Sequence, residues 1–192
     1  KGIEKTKFIL EEIAHLQTGS QQIMRALIDT IHIQIDRTEF NLKEKLLSLI
    51  EEEKTAHFNE TISLNLKYSL PTTIIYASEF HLICAVRNLV DNAIKYGKPT
   101  PSIFIECFTE KKALIIVVKD DGPGIPKEKQ KFIFDKYYQV IDKDSGKKRK
   151  GYGLGLNYVY NVIKAHKGKI TVDSPPGKGC TFTIYLRRWK KK

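Results

Sequence analysis

Apolar residues recur at helical spacing through the first part of the chain. From residue 3 to residue 36 they follow a heptad-like track that weakens at Gln17–Ser20, where Gly19 could bend the helix. The residues on this track are Ile3, Leu10, Ile13, Met24, Leu27 and Ile31. A second helical pattern begins at about Asn41, a suitable N-cap, and ends at Glu51–Glu53. We expect a long helix that packs against a partner helix, with packing on its own domain as the alternative.

From residue 61 the pattern changes to alternating short strands and helices. Strands are predicted over 61–66, 72–76, 102–109, 113–118, 169–173 and 180–186, and helices over 78–96 and 154–166. We therefore expect an α+β fold: a two-layer α/β sandwich with helices on one face of a mixed sheet, and no βαβ repeat. The predicted division is a helical segment over 1–57 and a compact domain over 58–192.

Charge is unevenly distributed along the 192 residues. The chain carries 33 basic and 22 acidic residues, a formal net charge of +11. Residues 127–150 contribute nine basic and four acidic side chains, and residues 187–192 contribute five basic ones. A protein that binds duplex nucleic acid carries its charge over a broad basic face. Because the excess here lies in two short segments, we expect no nucleic-acid partner.

Composition and cysteine content indicate a cytoplasmic domain. The hydrophobic fraction of 41% is sufficient for one well-packed core, and no apolar run approaches the length that spans a bilayer. Cys84, Cys107 and Cys180 are separated thiols without zinc-ligand spacing, which is typical of a reducing compartment. The sequence begins at Lys1, so we expect a fragment of a larger protein whose other parts could be anchored in the inner membrane.

The helix predicted over 78–96 carries a polar face. At 100° per residue, Asn88, Asn92 and Lys95 fall within about 60° of one another. The opposite side is apolar and consists of Leu82, Val86, Leu89 and Ala93. A carboxamide oxygen and an ammonium group on one face offer a ligand for a hard cation and a counter-charge for phosphate. An ordinary solvated helix face is the alternative.

A glycine-containing loop follows the central strand. It reads Asp120-Asp121-Gly122-Pro123-Gly124-Ile125-Pro126. The glycines allow a tight turn and close approach to a flat ligand, and a carboxylate at a strand end can accept a hydrogen bond from an exocyclic amine. A plain turn between a strand and a helix is the alternative.

A second glycine-rich segment opens the helix predicted over 154–166. It reads Gly151-Tyr152-Gly153-Leu154-Gly155-Leu156. Backbone N–H groups at a helix N-terminus, helped by the helix dipole, can bind a phosphate chain. No strand leads directly into this segment and no Gly-Lys-Ser/Thr follows, so it is neither a dinucleotide-binding fingerprint nor a Walker loop.

A glycine-containing turn leads into the last strand. It reads Gly177-Lys178-Gly179-Cys180-Thr181-Phe182. Strand alternation puts Cys180 and Phe182 on one side and Thr181 on the other. Thr181 is the residue we expect to present a hydroxyl group to a base. An ordinary hairpin is the alternative.

In this order, and with the aromatic segment Phe132–Tyr138 between the second and third motifs, the chain closely resembles the ATP-binding catalytic domain of two-component sensor histidine kinases. The resemblance covers about residues 60–186 and implies the Bergerat-type ATP-binding fold shared with gyrase. Residues 1–57 resemble, less specifically, the second helix of the kinase dimerisation hairpin and its connector.

The resemblance implies a role for each motif. Asn92 would be the Mg²⁺ ligand, with Asn88 beside it and with Lys95 and Tyr96 near phosphate and ribose. Asp120 would accept the adenine amino hydrogen. The remaining expected contacts are Gly122, Gly124 and Ile125 around the base, Thr181 through water, and Gly151, Tyr152, Gly153, Leu154, Gly155 and Leu156 in the hinge and phosphate cradle.

The long polar segment over 127–150 would be a mobile lid. Loops longer than about 12–15 residues are uncommon and usually functional. The positive charge of this segment would face the triphosphate, and Lys136 is the expected contact of the γ-phosphate.

One residue distinguishes kinases from ATP-hydrolysing relatives. The resemblance implies that those relatives carry a Glu where this chain has Asn88, and a carboxamide cannot act as a general base. We therefore expect the γ-phosphoryl group to be kept for a histidine acceptor. His15 lacks the acid and the proline that follow such a histidine, so we expect an acceptor on a hairpin absent from this chain.

The expected partners are ATP, the phosphoacceptor hairpin, a response-regulator receiver domain and a second copy in the full-length protein. Three alternatives stay open from the sequence alone. They are a serine kinase resembling anti-sigma factors, a module that binds ATP only to hold one conformation, and a basic nucleic-acid binder.

Overall fold

The computed structural model describes residues 35–58, 61–139 and 153–187. The helical track predicted before residue 35 lies outside this part of the chain. The helices are α1 (Leu42–Ala56), α2 (Glu79–Tyr96), α3 (Lys127–Gln130) and α4 (Gly155–Ala165). The strands are β1 (Thr38–Asn41), β2 (Ser63–Tyr68), β3 (Ile74–Ala77), β4 (Ser102–Glu110), β5 (Ala113–Asp120), β6 (Lys169–Asp173) and β7 (Thr181–Leu186).

The main sheet has five strands in the order β2-β4-β5-β7-β6. The β2–β4 pair is parallel, and the other three pairs are antiparallel. On β5, the residues Leu114, Ile116 and Val118 are buried on the face that α2 and α4 cover. The predicted two-layer sandwich with a mixed sheet is confirmed. The strand β5, which is rich in β-branched residues, lies in the centre of the sheet and pairs with β4 on one side and β7 on the other.

The apolar stripe of α2 lies in the core as predicted. Leu82, Val86, Leu89 and Ala93 are all at most 4% exposed. Burial of such side chains stabilises a helix by roughly 1.5–3 kcal/mol each relative to exposure. Because this side is fixed against the sheet and α4, the polar side of α2 is turned away from the core.

The segment before β2 belongs to the same packed unit as the sheet. The strand β1 pairs antiparallel with β3, with Phe40 opposite Ile75, and forms a separate two-stranded sheet. Next along the chain, Asn41 caps α1 by accepting the Glu44 N–H at 3.2 Å. The buried side of α1 consists of Leu42, Leu46, Leu49, Ile50 and Glu53.

The boundary predicted at residue 57/58 therefore runs through one compact unit, which begins at Ile35. The strand β1 was not predicted because it is four residues long and its partner lies more than 30 residues away. Local periodicity carries no sign of such a pairing. Among the described residues, no helix is both long enough and apolar enough to cross a membrane.

A buried histidine joins the end of α4 to the start of α2. His166 is 3% exposed, and its Nε2 accepts the backbone N–H of Ser78 at 3.0 Å while its Nδ1 donates to the Val162 carbonyl at 2.9 Å. Ser78 is the N-cap residue of α2, as predicted, but its side chain makes no capping bond. Burial lowers the pKa of His166, with Arg37 and His81 adding to the effect.

We expect the stability of the fold to decrease in mild acid because of His166. The neutral imidazole is the form that accepts the Ser78 N–H, so the contribution is complete above the unfolded-state pKa of about 6.5. It is lost as the pH falls toward the lower folded-state pKa, by about 1.4 kcal/mol per unit of separation. The free energy of unfolding, measured in urea between pH 8 and pH 5, reports this loss.

His166→Gln is the matched control, since its carboxamide oxygen can accept the same N–H and does not titrate. This part of the pH dependence should be absent in the variant. An identical slope in both proteins would contradict the assignment.

Candidate functional site

A cavity of about 380 Å³ lies between α2, the loop after β5 and the start of α4. It brings together eleven of the residues predicted from the sequence. They are Asn88, Asn92, Lys95, Tyr96, Asp120, Gly124, Ile125, Gly153, Leu154, Gly155 and Leu156. Gly122, Lys136 and Thr181 do not line it, and Gly151 and Tyr152 lie outside the described residues.

Asp120 is the buried carboxylate of the cavity. It is 8% exposed, and its Oδ1 accepts two backbone N–H groups, from Gly122 at 2.8 Å and from Cys180 at 3.1 Å. Burial raises the pKa of Asp120, and the two backbone hydrogen bonds oppose this effect. Both bonds use Oδ1, so neither of them occupies Oδ2. Gly122, which does not line the cavity, thus acts through its N–H on Asp120.

The turn before β7 brings Cys180 to Asp120. Gly179 has φ +78°, and a Cβ atom at this position would lie 2.0 Å from the Asp120 carbonyl oxygen. Only glycine allows this approach, in which the Asp120 N–H also donates to the Cys180 carbonyl at 2.9 Å. The end of β5 and the start of β7 are therefore in backbone contact at the cavity.

Cys180 lies where the sequence analysis expected Thr181. Thr181 is in register with Lys119 and Asp173 and does not line the cavity, whereas Cys180 and Phe182 do. The predicted alternation is correct, but the side that faces the cavity is the one with the thiol. Burial raises the pKa of the Cys180 thiol to about 11, so this side chain is neutral at physiological pH.

Two side chains that the sequence analysis missed hold the loop after β5. Ser174, 1% exposed, accepts the Ile125 N–H at 2.8 Å, and its Oγ lies 3.0 Å from the Gly179 carbonyl. Gln130 donates from Nε2 to the carbonyl oxygens of Ile125 at 2.8 Å and of Ser174 at 2.7 Å. We refer to Ser174 and Gln130, with these bonds, as the loop clamp.

The polar face of α2 reaches the start of α4. Asn88 donates from Nδ2 to the Cys84 carbonyl at 2.8 Å. A Cβ atom at Gly155 would lie 2.7 Å from Asn88 Oδ1, so the first turn of α4 directly adjoins this carboxamide. The N-cap residue Leu154 has no side-chain acceptor, which leaves the α4 N–H groups to a ligand.

Asn92 contains an unpaired donor in the same cavity. Its Nδ2 is buried and, alone among the buried side-chain nitrogen and oxygen atoms of the described residues, has no hydrogen-bond partner. Such an atom costs roughly 1–3 kcal/mol when it is left unsatisfied. Together with the α4 N-terminus and Lys95, this arrangement fits a polar ligand with phosphate groups, and the carboxamide oxygen of Asn92 fits a hard cation.

The first part of the predicted lid is attached to α4. The Phe134 carbonyl accepts from Asn157 Nδ2 at 2.8 Å, and its ring lies 5.9 Å from that of Tyr160. The Tyr137 N–H donates to the Gly153 carbonyl at 2.9 Å. Residues 140–152, which include the basic run 147–150, lie outside the described residues. Lys136 is described but does not line the cavity, and its contact with a γ-phosphate stays a prediction.

Comparison with known proteins identifies a family and relatives that share most of this chain. The family model described as histidine kinase-, DNA gyrase B- and HSP90-like ATPase matches residues 77–190. The sensor protein RprX of Bacteroides fragilis is 39% identical over 183 residues, which are 93% of this chain and 35% of RprX. The histidine-protein kinase ArlS of Staphylococcus haemolyticus is 31% identical, with 96% of this chain and 40% of ArlS covered.

Solved structures show the same fold. Full-length ShkA in complex with AMPPNP superposes with a TM-score of 0.73 at 21% identity, over 86% of this chain and 34% of ShkA. The chain thus spans only about a third to two fifths of the length of these relatives.

Removal of the Ser174 hydroxyl should weaken both the fold and the site. In Ser174→Ala the Ile125 N–H loses its acceptor, which is expected to lower the free energy of unfolding by about 1–3 kcal/mol. The loop after β5 is then held less firmly, so affinity for an ATP analogue should decrease as well. Denaturant unfolding and calorimetric titration measure the two effects.

Ser48→Ala is the matched control because it removes an exposed hydroxyl bonded to Glu52 on α1. It should change neither quantity measurably. Unaltered stability and affinity in Ser174→Ala would show that the loop clamp is dispensable.

Proposed function

The chain belongs to the family of histidine kinase-, DNA gyrase B- and HSP90-like ATPases, as the ATP-binding catalytic core of a sensor histidine kinase, and we propose that its cavity holds Mg²⁺-ATP. The γ-phosphoryl group of this ATP would be transferred to a histidine on a dimerisation hairpin. The observation that carries the proposal is Asp120, a buried carboxylate fixed by two backbone N–H groups at the edge of a cavity. The AMPPNP bound in the related ShkA structure supports the same choice of nucleotide.

Adenine recognition follows from the two oxygens of Asp120. Because Oδ1 is held by Gly122 and Cys180, Oδ2 is the atom proposed to accept a hydrogen from the adenine 6-amino group. Guanine presents an oxygen at this position, which a carboxylate would repel. Ile125 and Phe182 supply apolar surface for the base, and the neutral Cys180 thiol adds no charge.

The triphosphate would extend from the base toward α4 and the polar face of α2. The N-terminal N–H groups of α4 and the ammonium of Lys95 are proposed to bind phosphate oxygens. The Asn92 carboxamide is proposed to hold Mg²⁺ through its oxygen and to use its unpaired Nδ2–H on a phosphate or water. Bound Mg²⁺ would neutralise charge on the β- and γ-phosphates.

Transfer rather than hydrolysis follows from Asn88. Its Nδ2 donates to the Cys84 carbonyl, and neither the amide nitrogen nor the amide oxygen can remove a proton from water. A neutral imidazole needs no general base, since a ring nitrogen attacks with its own lone pair. In the proposed step the new N–P bond forms in line as the bond to the β,γ-bridging oxygen breaks, and ADP leaves with that bond's electron pair. The phosphorylated ring then loses its other N–H proton to solvent.

The partners proposed from this role are a phosphoacceptor hairpin, a second copy in the full-length protein and a receiver domain that takes the phosphoryl group from the histidine. We propose a cytoplasmic location, which agrees with the free thiols of Cys84, Cys107 and Cys180. The parent protein would carry the sensory part.

Asp120→Asn should reduce affinity for an ATP analogue by about 10- to 100-fold. Its carboxamide oxygen can still accept the two backbone N–H groups, whereas its NH₂ group would replace the acceptor at Oδ2. A charge-assisted hydrogen bond of this kind is worth about 1.5–3 kcal/mol. Calorimetric titration with AMPPNP, and with its guanine counterpart, measures the loss and any gain in tolerance of guanine.

Asp121→Asn is the matched control, because the neighbouring carboxylate is bonded to Lys98 and to the Ser102 N–H outside the cavity. It should bind the analogue as the unaltered chain does. If Asp120→Asn bound AMPPNP as tightly as Asp121→Asn does, the assignment of Asp120 to adenine recognition would be wrong.

Transfer is tested with γ-labelled ATP and a separate dimerisation hairpin that contains an acceptor histidine. Acid-labile label should reach the hairpin only when Mg²⁺ is present. Asn92→Ala should reduce the rate by at least tenfold, while Asn65→Ala, at an exposed position of β2, leaves it unchanged. Binding of ATP without any transfer would favour a conformational module instead. Label on this chain at His15 would contradict the separate acceptor.

A further inference from the structure

A second cavity lies at the other end of the main sheet. Its volume is about 690 Å³, and it is formed by the β4–β5 turn, the turn between α4 and β6, Tyr185 and Arg187. Ala113 and Asp120 are the first and last of the eight residues of β5, so the two cavities lie about 23 Å apart along an extended strand. This cavity is therefore distinct from the nucleotide site and does not depend on the function proposed for it.

The cavity opens on the face of the sheet that is free of α2 and α4. Ile115, Tyr185 and Lys169 lie side by side on three neighbouring strands, so their side chains share one face. Leu114 and Ile116, which alternate with Ile115, point to the helix-covered core. The Tyr185 side chain therefore lines the cavity between Ile115 and Lys169.

The lining carries an uncompensated positive charge. Four of its side chains are basic, namely Lys111, Lys167, Lys169 and Arg187, and one is acidic, Glu110, which gives 4 − 1 = +3. No carboxylate in the described part of the chain forms an ion pair with any of the four. Lys67 on β2, by contrast, is paired with Glu106 at 2.6 Å.

Two of the lysines occupy backbone positions that favour other residues. Lys111 (φ +46°) and Lys112 (φ +69°) form the two-residue loop between paired Glu110 and Ala113, a hairpin geometry that favours Asn-Gly. Lys167 (φ +58°) holds the left-handed position after α4, where glycine or asparagine is preferred. The bonds Lys167 N–H to Lys164 and Gly168 N–H to Ile163 complete a Schellman motif around it.

The positive charge that Lys111 and Lys167 bring to the cavity explains why lysine occupies these backbone positions. A lysine with positive φ destabilises a turn relative to asparagine or glycine, and strained positions cluster at functional sites. Here two such positions contribute to one cavity, and the side chains they add to it are cations. The sequence continues from Arg187 with four further basic residues among its last five.

We propose that this cavity binds a phosphoryl polyanion, either a free di- or triphosphate or the phosphorylated headgroup of a lipid. Several phosphate charges in one small ligand match a net charge of +3, which a single carboxylate does not. Lysine ammonium groups bind phosphate as point charges, Arg187 offers a two-pronged donor, and the Tyr185 hydroxyl can donate to a further oxygen. The volume lies within the range of small-molecule sites.

The test is a titration of the chain with tripolyphosphate, followed by the NMR shifts of individual amides. Binding at this cavity should change the amide chemical shifts of Lys111, Ala113 and Gly168 independently of any change at Asn92. In the variant Lys111→Asn/Lys167→Asn, affinity at these amides should fall at least tenfold. The unfolding temperature should stay the same or rise, because asparagine is preferred at both backbone positions.

The matched control is Lys54→Asn/Lys67→Asn, which removes two lysines from α1 and β2. It should bind tripolyphosphate as the unaltered chain does. An equal loss in the control would show non-specific attraction and overturn the proposal, as would equal affinity for citrate, a tricarboxylate. Absence of tripolyphosphate shifts at the cavity amides, together with no retention by the vesicles described next, would also overturn it.

Sedimentation with vesicles distinguishes the two sources of phosphate. If the ligand is a headgroup, vesicles of cardiolipin, whose headgroup carries two phosphates, mixed with phosphatidylcholine should retain the unaltered chain and the control but not Lys111→Asn/Lys167→Asn. If it is free polyphosphate, the solution titration should show binding and the vesicles should not discriminate between the variants.

Discussion

The backbone contact at Asp120 is the constraint on which the nucleotide cavity depends. One carboxylate oxygen accepts N–H groups from Gly122, two residues ahead, and from Cys180, sixty residues ahead. A side chain at Gly179 would break this contact. The local loop and the distant turn are thus fixed relative to one carboxylate, and the loop clamp formed by Ser174 and Gln130 ties them a second time. The wall that we propose binds the base therefore needs no rearrangement to present its acceptor.

The motif residues of the site were predictable because their chemistry is local. A strand that ends in Asp-Asp-Gly-Pro-Gly, and a helix with apolar residues on one side and two asparagines on the other, determine their geometry over a few residues. The structure brings eleven of the expected residues to one cavity for this reason. Fold class was accessible in the same way, since the periods of the strands and helices from residue 61 onward are distinct.

What the sequence did not reveal depends on contacts between distant residues. Ser174 precedes two prolines and looks like part of a turn, but its role comes from the Ile125 N–H that the tertiary fold brings to it. Cys180 and Thr181 are neighbours, and alternation predicts that they face opposite ways without telling which way faces the cavity. The pairing of β1 with β3 had no local sign, so α1 was assigned to a separate segment although its apolar side completes the core.

The hydrogen bond from Ser78 to His166 has a mechanical consequence for the end of the cavity at which we propose that phosphate binds. It pins the last turn of α4 to the beginning of α2, while the first turn of α4 adjoins the glycine-rich segment and Asn88. The last turn of α4 is therefore fixed to α2, whereas its first half is held to the segment 134–137 through Asn157 and Gly153. A displacement of Gly153 therefore acts first on the first turn of α4, whose N–H groups we propose bind phosphate, whereas the loop proposed to bind adenine is held separately by the loop clamp.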